Sequence, residues 1–133
     1  MSIGLLLITH PSIAQSLWNT AVSMLGQQPL EAAVLEVPFD APREDMCDRA
    51  KQSFRMLNQG DGVLVLTDLY GSTPSNIAHC LLEFCDSRVI CGLNLPMLIR
   101  VLNYPDLGLD ELAEKAMTGG QRGIALSIPA KEC

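Results

Sequence analysis

The chain has 133 residues, which suits one domain spanning residues 1–133 and leaves little room for a second. A chain of that length buries roughly two thirds of its unfolded surface, and 48% hydrophobic against 18% charged residues excludes a disordered or fibrous protein. Nine basic against 15 acidic residues leave a net charge of -6, which argues against nucleic acid or an anionic membrane surface as partner.

Residues 3–9 form a continuous apolar run closing on Thr9, the pattern of a parallel strand buried on both faces. His10-Pro11 breaks the run, and Pro11 suits a helix start. Ile13, Ala14, Leu17, Trp18, Ala21, Val22 and Leu25 then follow helical spacing, with Gly26 placed to end the helix. Residues 32–37 read as a second strand, stopped by Pro38. Asp40 is a candidate cap, and Met46, Cys47, Ala50, Phe54 and Leu57 mark the next helix, with Pro42 in its first turn.

Gly60-Asp61-Gly62 predicts a turn and residues 63–67 a third strand. Residues 68–74 form a loop opening a helix that carries Ile77, Ala78, Leu81, Leu82 and Cys85. Residues 88–91 make a fourth strand, and 93–102, with Pro96 early, a short helix. Leu109, Leu112, Ala113, Ala116 and Met117 mark another helix, ended by Gly119-Gly120, and residues 124–128 a last strand. The alternation implies an α/β fold: one doubly wound, mostly parallel open sheet with helices on both faces.

The longest early apolar run is far short of the ~20 residues of a membrane span, and it lacks the basic flank of a signal peptide. Cys47, Cys80, Cys85, Cys91 and Cys133 contain no C-x-x-C pair, so they read as buried or free thiols in a reducing cytoplasm. Nor is there a cluster of metal ligands.

In such a sheet the site lies beyond the carboxyl ends of the strands. Three loops qualify: Thr9-His10-Pro11, residues 68–74, and residues 92–96. His10 is poised there as base or nucleophile, whereas His79, off the apolar stripe of its helix, reads as a surface residue. Asp68 ends the strand expected beside the first, so its carboxylate can orient the imidazole. Gly71, Ser72 and Thr73 offer amides and hydroxyls for a phosphoryl group. No nucleophile elbow, Walker loop or dinucleotide fingerprint is present, and His10 as a phosphoryl acceptor is the economical reading. Two alternatives stay open from the residues alone. One is a small-molecule-binding domain with a structural His10. The other is a receiver phosphorylated on Asp68, which would need acidic residues where Thr9-His10 stands.

Ile8-Thr9-His10-Pro11, the run from Thr67-Asp68 through Gly71-Ser72-Thr73-Pro74 to Asn76, and Gly92-Leu93-Asn94-Leu95-Pro96-Met97 together resemble the mannose/fructose-type IIA components of the bacterial sugar phosphotransferase system. The resemblance implies a cytoplasmic phosphotransferase subunit without a cofactor. Its His10 takes a phosphoryl group from HPr and passes it to a IIB component, with Asp68 beside it and Gly71, Ser72 and Thr73 meeting the phosphoryl group. Ser72 departs from the Gly or Ala usual in the family. The resemblance also implies a homodimer in which residues 124–128 cross to the partner's sheet as an antiparallel strand. With the chain ending at Cys133, the IIB partner is expected to be separate, and the membrane to be reached only through transporter components. The alternative within this family is a regulatory phosphoacceptor that transports no sugar.

Overall fold

The computed structural model describes residues 2–132. Four strands, β1 (Gly4–Thr9), β2 (Ala32–Glu36), β3 (Val63–Thr67) and β4 (Ser87–Cys91), alternate with helices α1 (Ala14–Leu25), α2 (Arg43–Leu57), α3 (Thr73–His79), α4 (Leu95–Leu102) and α5 (Leu109–Arg122). A 3-10 turn, Cys80–Glu83, follows α3. The sheet is wholly parallel in the order β2-β1-β3-β4. No helix among the described residues is long and apolar enough to cross a membrane.

Every residue of β1 and β3 is buried, because these central strands are covered on both faces. Their side chains alternate between two cores. Leu5, Leu7, Leu64 and Leu66 pack with Trp18, Leu98, Val101, Leu112 and Ala116 on the face of α1, α4 and α5. Leu6, Ile8, Val63 and Val65 pack with Met46, Phe54, Ile77 and Leu81 on the face of α2 and α3. Right-handed crossovers require this split: the chain leaves β1 toward β2, then turns back past β1 to reach β3. Strand order therefore reverses between β1 and β3, and the crevice opens at their carboxyl ends, His10 and Asp68.

Local differences from the expected elements have physical causes. Helix α1 starts at Ala14, three residues after Pro11, because Ser12 takes a left-handed φ of 66° that interrupts helical geometry. Pro42 is the N-cap of α2, and Asp40 makes no capping bond. Leu82 is 52% exposed and Cys85 is exposed, so both lie off the apolar face on which Ile77, Ala78 and Leu81 are buried.

Gly119 and Gly120 do not end α5, which runs on to Arg122. They let it approach α4. A Cβ on Gly119 would lie 2.5 Å from the Cβ of Arg100, and one on Gly120 2.8 Å from the Cε of Met97. Gly119→Ala gains about 1 kcal/mol of helix propensity and loses about 1–3 kcal/mol to overpacking. A net loss of stability in urea denaturation is expected, and a stabilised variant would contradict the close-packing explanation.

Residues 124–128 form no strand in this chain. They follow α5 without regular secondary structure, with Ile124, Leu126 and Ile128 at 80%, 91% and 79% exposure. The expected last strand pairs with no other segment of this chain, and β4 stands as an edge of the four-stranded sheet.

The cysteines also correct an expectation. Cys47 in α2 and Cys80 after α3 are joined as a disulfide with their Cα atoms 6.1 Å apart. Thirty-three residues separate them in sequence, and it is the packing of α2 against α3 that brings them together. Cys85 and Cys91 are free thiols, and Cys133 lies outside the described residues.

Candidate functional site

His10 follows β1 directly, and Asp68 follows β3, whose register places Ile8 beside Thr67. The carboxylate and imidazole therefore meet at the sheet edge. Asp68 Oδ2 lies 2.7 Å from His10 Nδ1 and accepts the His10 backbone N–H at 3.0 Å. The other oxygen, Oδ1, accepts the backbone N–H of Leu69 at 3.0 Å. An ionised carboxylate only accepts, so Nδ1 carries the proton and Nε2 is left with its lone pair. The pair is partly shielded, with side-chain exposures of 26% for His10 and 11% for Asp68. Burial pushes the Asp68 carboxyl up. The hydrogen bonds from the His10 backbone and ring, the charge of that ring and a hydrogen bond from the backbone of Asp68 itself outweigh it, and the carboxyl lies below its ordinary value.

The turn carrying His10 is held from several sides. The Thr9 hydroxyl donates to the His10 carbonyl at 2.8 Å and accepts the Ala14 N–H at 3.0 Å. Glu36, the last residue of β2 and the register partner of Thr9, accepts the N–H groups of Ser12 and Gln15, both at 3.0 Å. Phe39 places its ring 5.7 Å from that of His10 while remaining 86% exposed.

In the second loop Gly71 adopts φ 84°, a conformation glycine takes without strain. Ser72 is the N-cap of α3: its hydroxyl accepts the Ser75 N–H at 3.4 Å and donates to the Leu69 carbonyl at 2.6 Å. The Ser75 hydroxyl accepts the Gly71 N–H at 3.4 Å. Thr73 is exposed, and neither Ser72 nor Thr73 hydrogen-bonds to His10. Apart from Asp68, the loop thus shares the His10 edge without a hydrogen bond to the ring. In the third loop, the Asn94 side chain caps α4 by accepting the Met97 N–H at 2.9 Å and donates to the Gly120 carbonyl at 3.1 Å. That is a shaping role.

His79 is half-buried rather than a plain surface residue. Its Nδ1 lies 2.6 Å from the Ser75 carbonyl, and its ring meets Tyr70 edge-on. Sequence reasoning missed Glu36 and Phe39. Glu36 ends β2 and Phe39 follows it, at the same sheet edge as His10, and that position was the available signal. No group of three or more His, Cys, Asp or Glu side chains among the described residues is arranged to hold a metal. A groove of about 400 Å³ between α1, α4 and α5 is lined by Met24, Pro96, Ile99 and Arg100, and includes neither His10 nor Asp68.

Residues 4–117 match the family described as the fructose IIA component of the phosphotransferase system. The chain belongs to that family. A IIA component of this family is a transferase-system protein with a phosphoryl-transfer role in sugar uptake. The chain is 31% identical over 127 residues to the mannose-specific EIIAB component of Escherichia coli K12, covering 93% of this chain and 39% of the relative. It therefore spans about two fifths of the length of that curated relative. Among solved structures, the mannose/sorbose-specific IIA subunit from Enterococcus faecalis superposes with a TM-score of 0.84 at 26% identity, covering 100% of this chain and 99% of that one. The IIA protein associated with the fucose utilization operon of Streptococcus pneumoniae gives 0.81 at 22% identity over 95% and 93% of the two chains, a likeness of fold.

Proposed function

We propose that this IIA component is a cytoplasmic phosphocarrier that accepts a phosphoryl group from the phosphohistidine of HPr on His10 and hands it to a IIB component. The observation that carries this reading is the 2.7 Å contact between Asp68 and Nδ1, because it leaves Nε2 as the one nucleophilic nitrogen of the ring. In the transfer, the Nε2 lone pair forms the new P–N bond as the donor's P–N bond breaks and its electron pair returns to the donor imidazole. The His10 ring then carries positive charge, which the Asp68 carboxylate steadies. Gly71, Ser72 and Thr73 stand at the same edge for the phosphoryl oxygens, with the Gly71 amide and the Ser72 hydroxyl exchanging their present partners, Ser75 and Leu69, for them. Such a transfer asks the protein for positioning and electrostatics, and no cofactor takes part in it.

An exposed rim suits a macromolecular donor: Phe39, Leu69 and Tyr70 stand 86%, 62% and 76% exposed around the site. The test is incubation with Enzyme I, HPr and phosphoenolpyruvate, followed by intact mass. One added phosphoryl group, acid-labile and base-stable, is expected. Absence of that mass, or an acid-stable adduct, overturns the reading.

The same proposal extends to assembly. Ile124, Leu126 and Ile128 alternate with smaller residues in an exposed segment, and an unpaired apolar segment with this pattern is an aggregation hazard unless it finds a ladder. A homodimer that exchanges residues 124–128 supplies one. Sedimentation at micromolar concentration should show a dimer that is lost when the chain is cut after Gly123. A monomeric full chain contradicts it.

A further inference from the structure

Among the described non-glycine residues, only Ser12 has a positive φ, and it lies two residues after His10. A left-handed serine is disfavoured by contact of its Cβ with the backbone and persists only where its surroundings impose it. Helix α1 has no cap from its own N-cap residue, Ile13. The amides at its start are instead satisfied from elsewhere. Thr9 takes the N–H of Ala14, and both oxygens of Glu36 take the N–H groups of Ser12 and Gln15. Glu36 can reach them because it pairs with Thr9 across the β1–β2 ladder, while the Val37 N–H donates to the Thr9 carbonyl at 2.8 Å.

We propose that Glu36 is a positioning residue for His10, an inference that rests on the phosphocarrier reading and adds to it. Its carboxylate bridges the strained residue of the His10 turn and the first turn of α1. The backbone of His10 is thereby set between two carboxylates of different duty: Asp68 holds its N–H and Nδ1, and Glu36 holds the chain just beyond it. With both in place, Nε2 is presented in one orientation. Without Glu36 the turn relaxes out of the left-handed region, and the imidazole swings from the line that Asp68 defines.

Three variants test this in the phospho-HPr assay: Glu36→Ala, Glu36→Gln and the double variant Glu36→Ala with Ser12→Gly. Glu36→Ala should lower the maximal transfer rate about tenfold while the half-saturating phospho-HPr concentration stays within about twofold, the signature of lost orientation. Glu36→Gln keeps one accepting oxygen and should fall between. Glycine at position 12 tolerates the observed φ without help, so the double variant should recover most of the rate. Nitrogen-15 resonances of the His10 ring, at a pH where it is neutral, should show the Nδ1–H tautomer diluted in Glu36→Ala and restored in the double variant.

An unchanged rate in Glu36→Ala overturns the inference, and so does failure of Ser12→Gly to restore rate and tautomer in a folded double variant. Should Glu36→Ala not fold, Glu36→Gln takes its place under the same two criteria. If the unsubstituted protein takes up no phosphoryl group, the phosphocarrier reading fails, and the tautomer measurement alone decides the role of Glu36.

Discussion

His10→Ala should reduce phosphoryl uptake from phospho-HPr to background while the protein stays folded. The site has one histidine at the β1–β3 crevice, and the other, His79, has its Nδ1 against the Ser75 carbonyl, away from the Asp68 pair. Alanine removes the ring but leaves the backbone N–H that Asp68 Oδ2 also accepts, so the carboxylate keeps a partner. The stability cost is therefore about that of one charged hydrogen bond, roughly 1.5–3 kcal/mol. Circular dichroism should show an unchanged helix and sheet content. A variant that still acquires an acid-labile phosphoryl group would move the acceptor elsewhere, with His79 the first suspect.

Asp68→Asn separates charge from shape. The amide oxygen still accepts a hydrogen bond, but the negative charge that fixes Nδ1–H and steadies the ring cation is gone. Loss of about 1.5–3 kcal/mol of charge-assisted bonding corresponds to transfer slowed about 10- to 150-fold. The pH dependence of stability gives an independent check. Because the Asp68 carboxyl lies below its ordinary value, its stabilising contribution is complete above the unfolded pKa of about 3.9 and disappears as pH falls through the lower folded value. The stability gap between the unsubstituted protein and Asp68→Asn should therefore close in acid, as pH falls through the carboxylate range. A rate equal to that of the unsubstituted protein, with no gap to close, would leave Asp68 as a turn residue only.

The strands were legible because β1 and β3 are buried on both faces and so read as unbroken apolar runs, with no choice of register face to confuse them. From their order alone the edge bearing His10 and Asp68 could be located, and the family motifs fall on the same loops. What escaped depends on contacts between distant segments. Gly119-Gly120 carries the usual mark of a helix end, yet the reason for it is Arg100 on a neighbouring helix, which no local pattern shows. Cys47 and Cys80 meet through the α2–α3 packing, so spacing rules for nearby cysteines could not find them. Glu36 looks like an ordinary acidic residue closing an edge strand. Only the pairing of β2 with β1 turns its side chain into the cap of a helix that lies earlier in the chain. Residues 124–128 have a strand's alternation, yet they pair with none of the four strands of the sheet.

Trp18, the one tryptophan of the sequence, is buried on α1 in the layer shared with α4 and α5. Its indole is thus an optical reporter on the helix that starts at the His10 turn. The opposite layer holds the stacked pair Phe54 and Phe84, with ring centroids 4.6 Å apart, and contributes no indole emission. Fluorescence therefore watches one side of the sheet and circular dichroism both, so a helix shift propagated from His10 along α1 would register in the emission spectrum without any change in secondary structure.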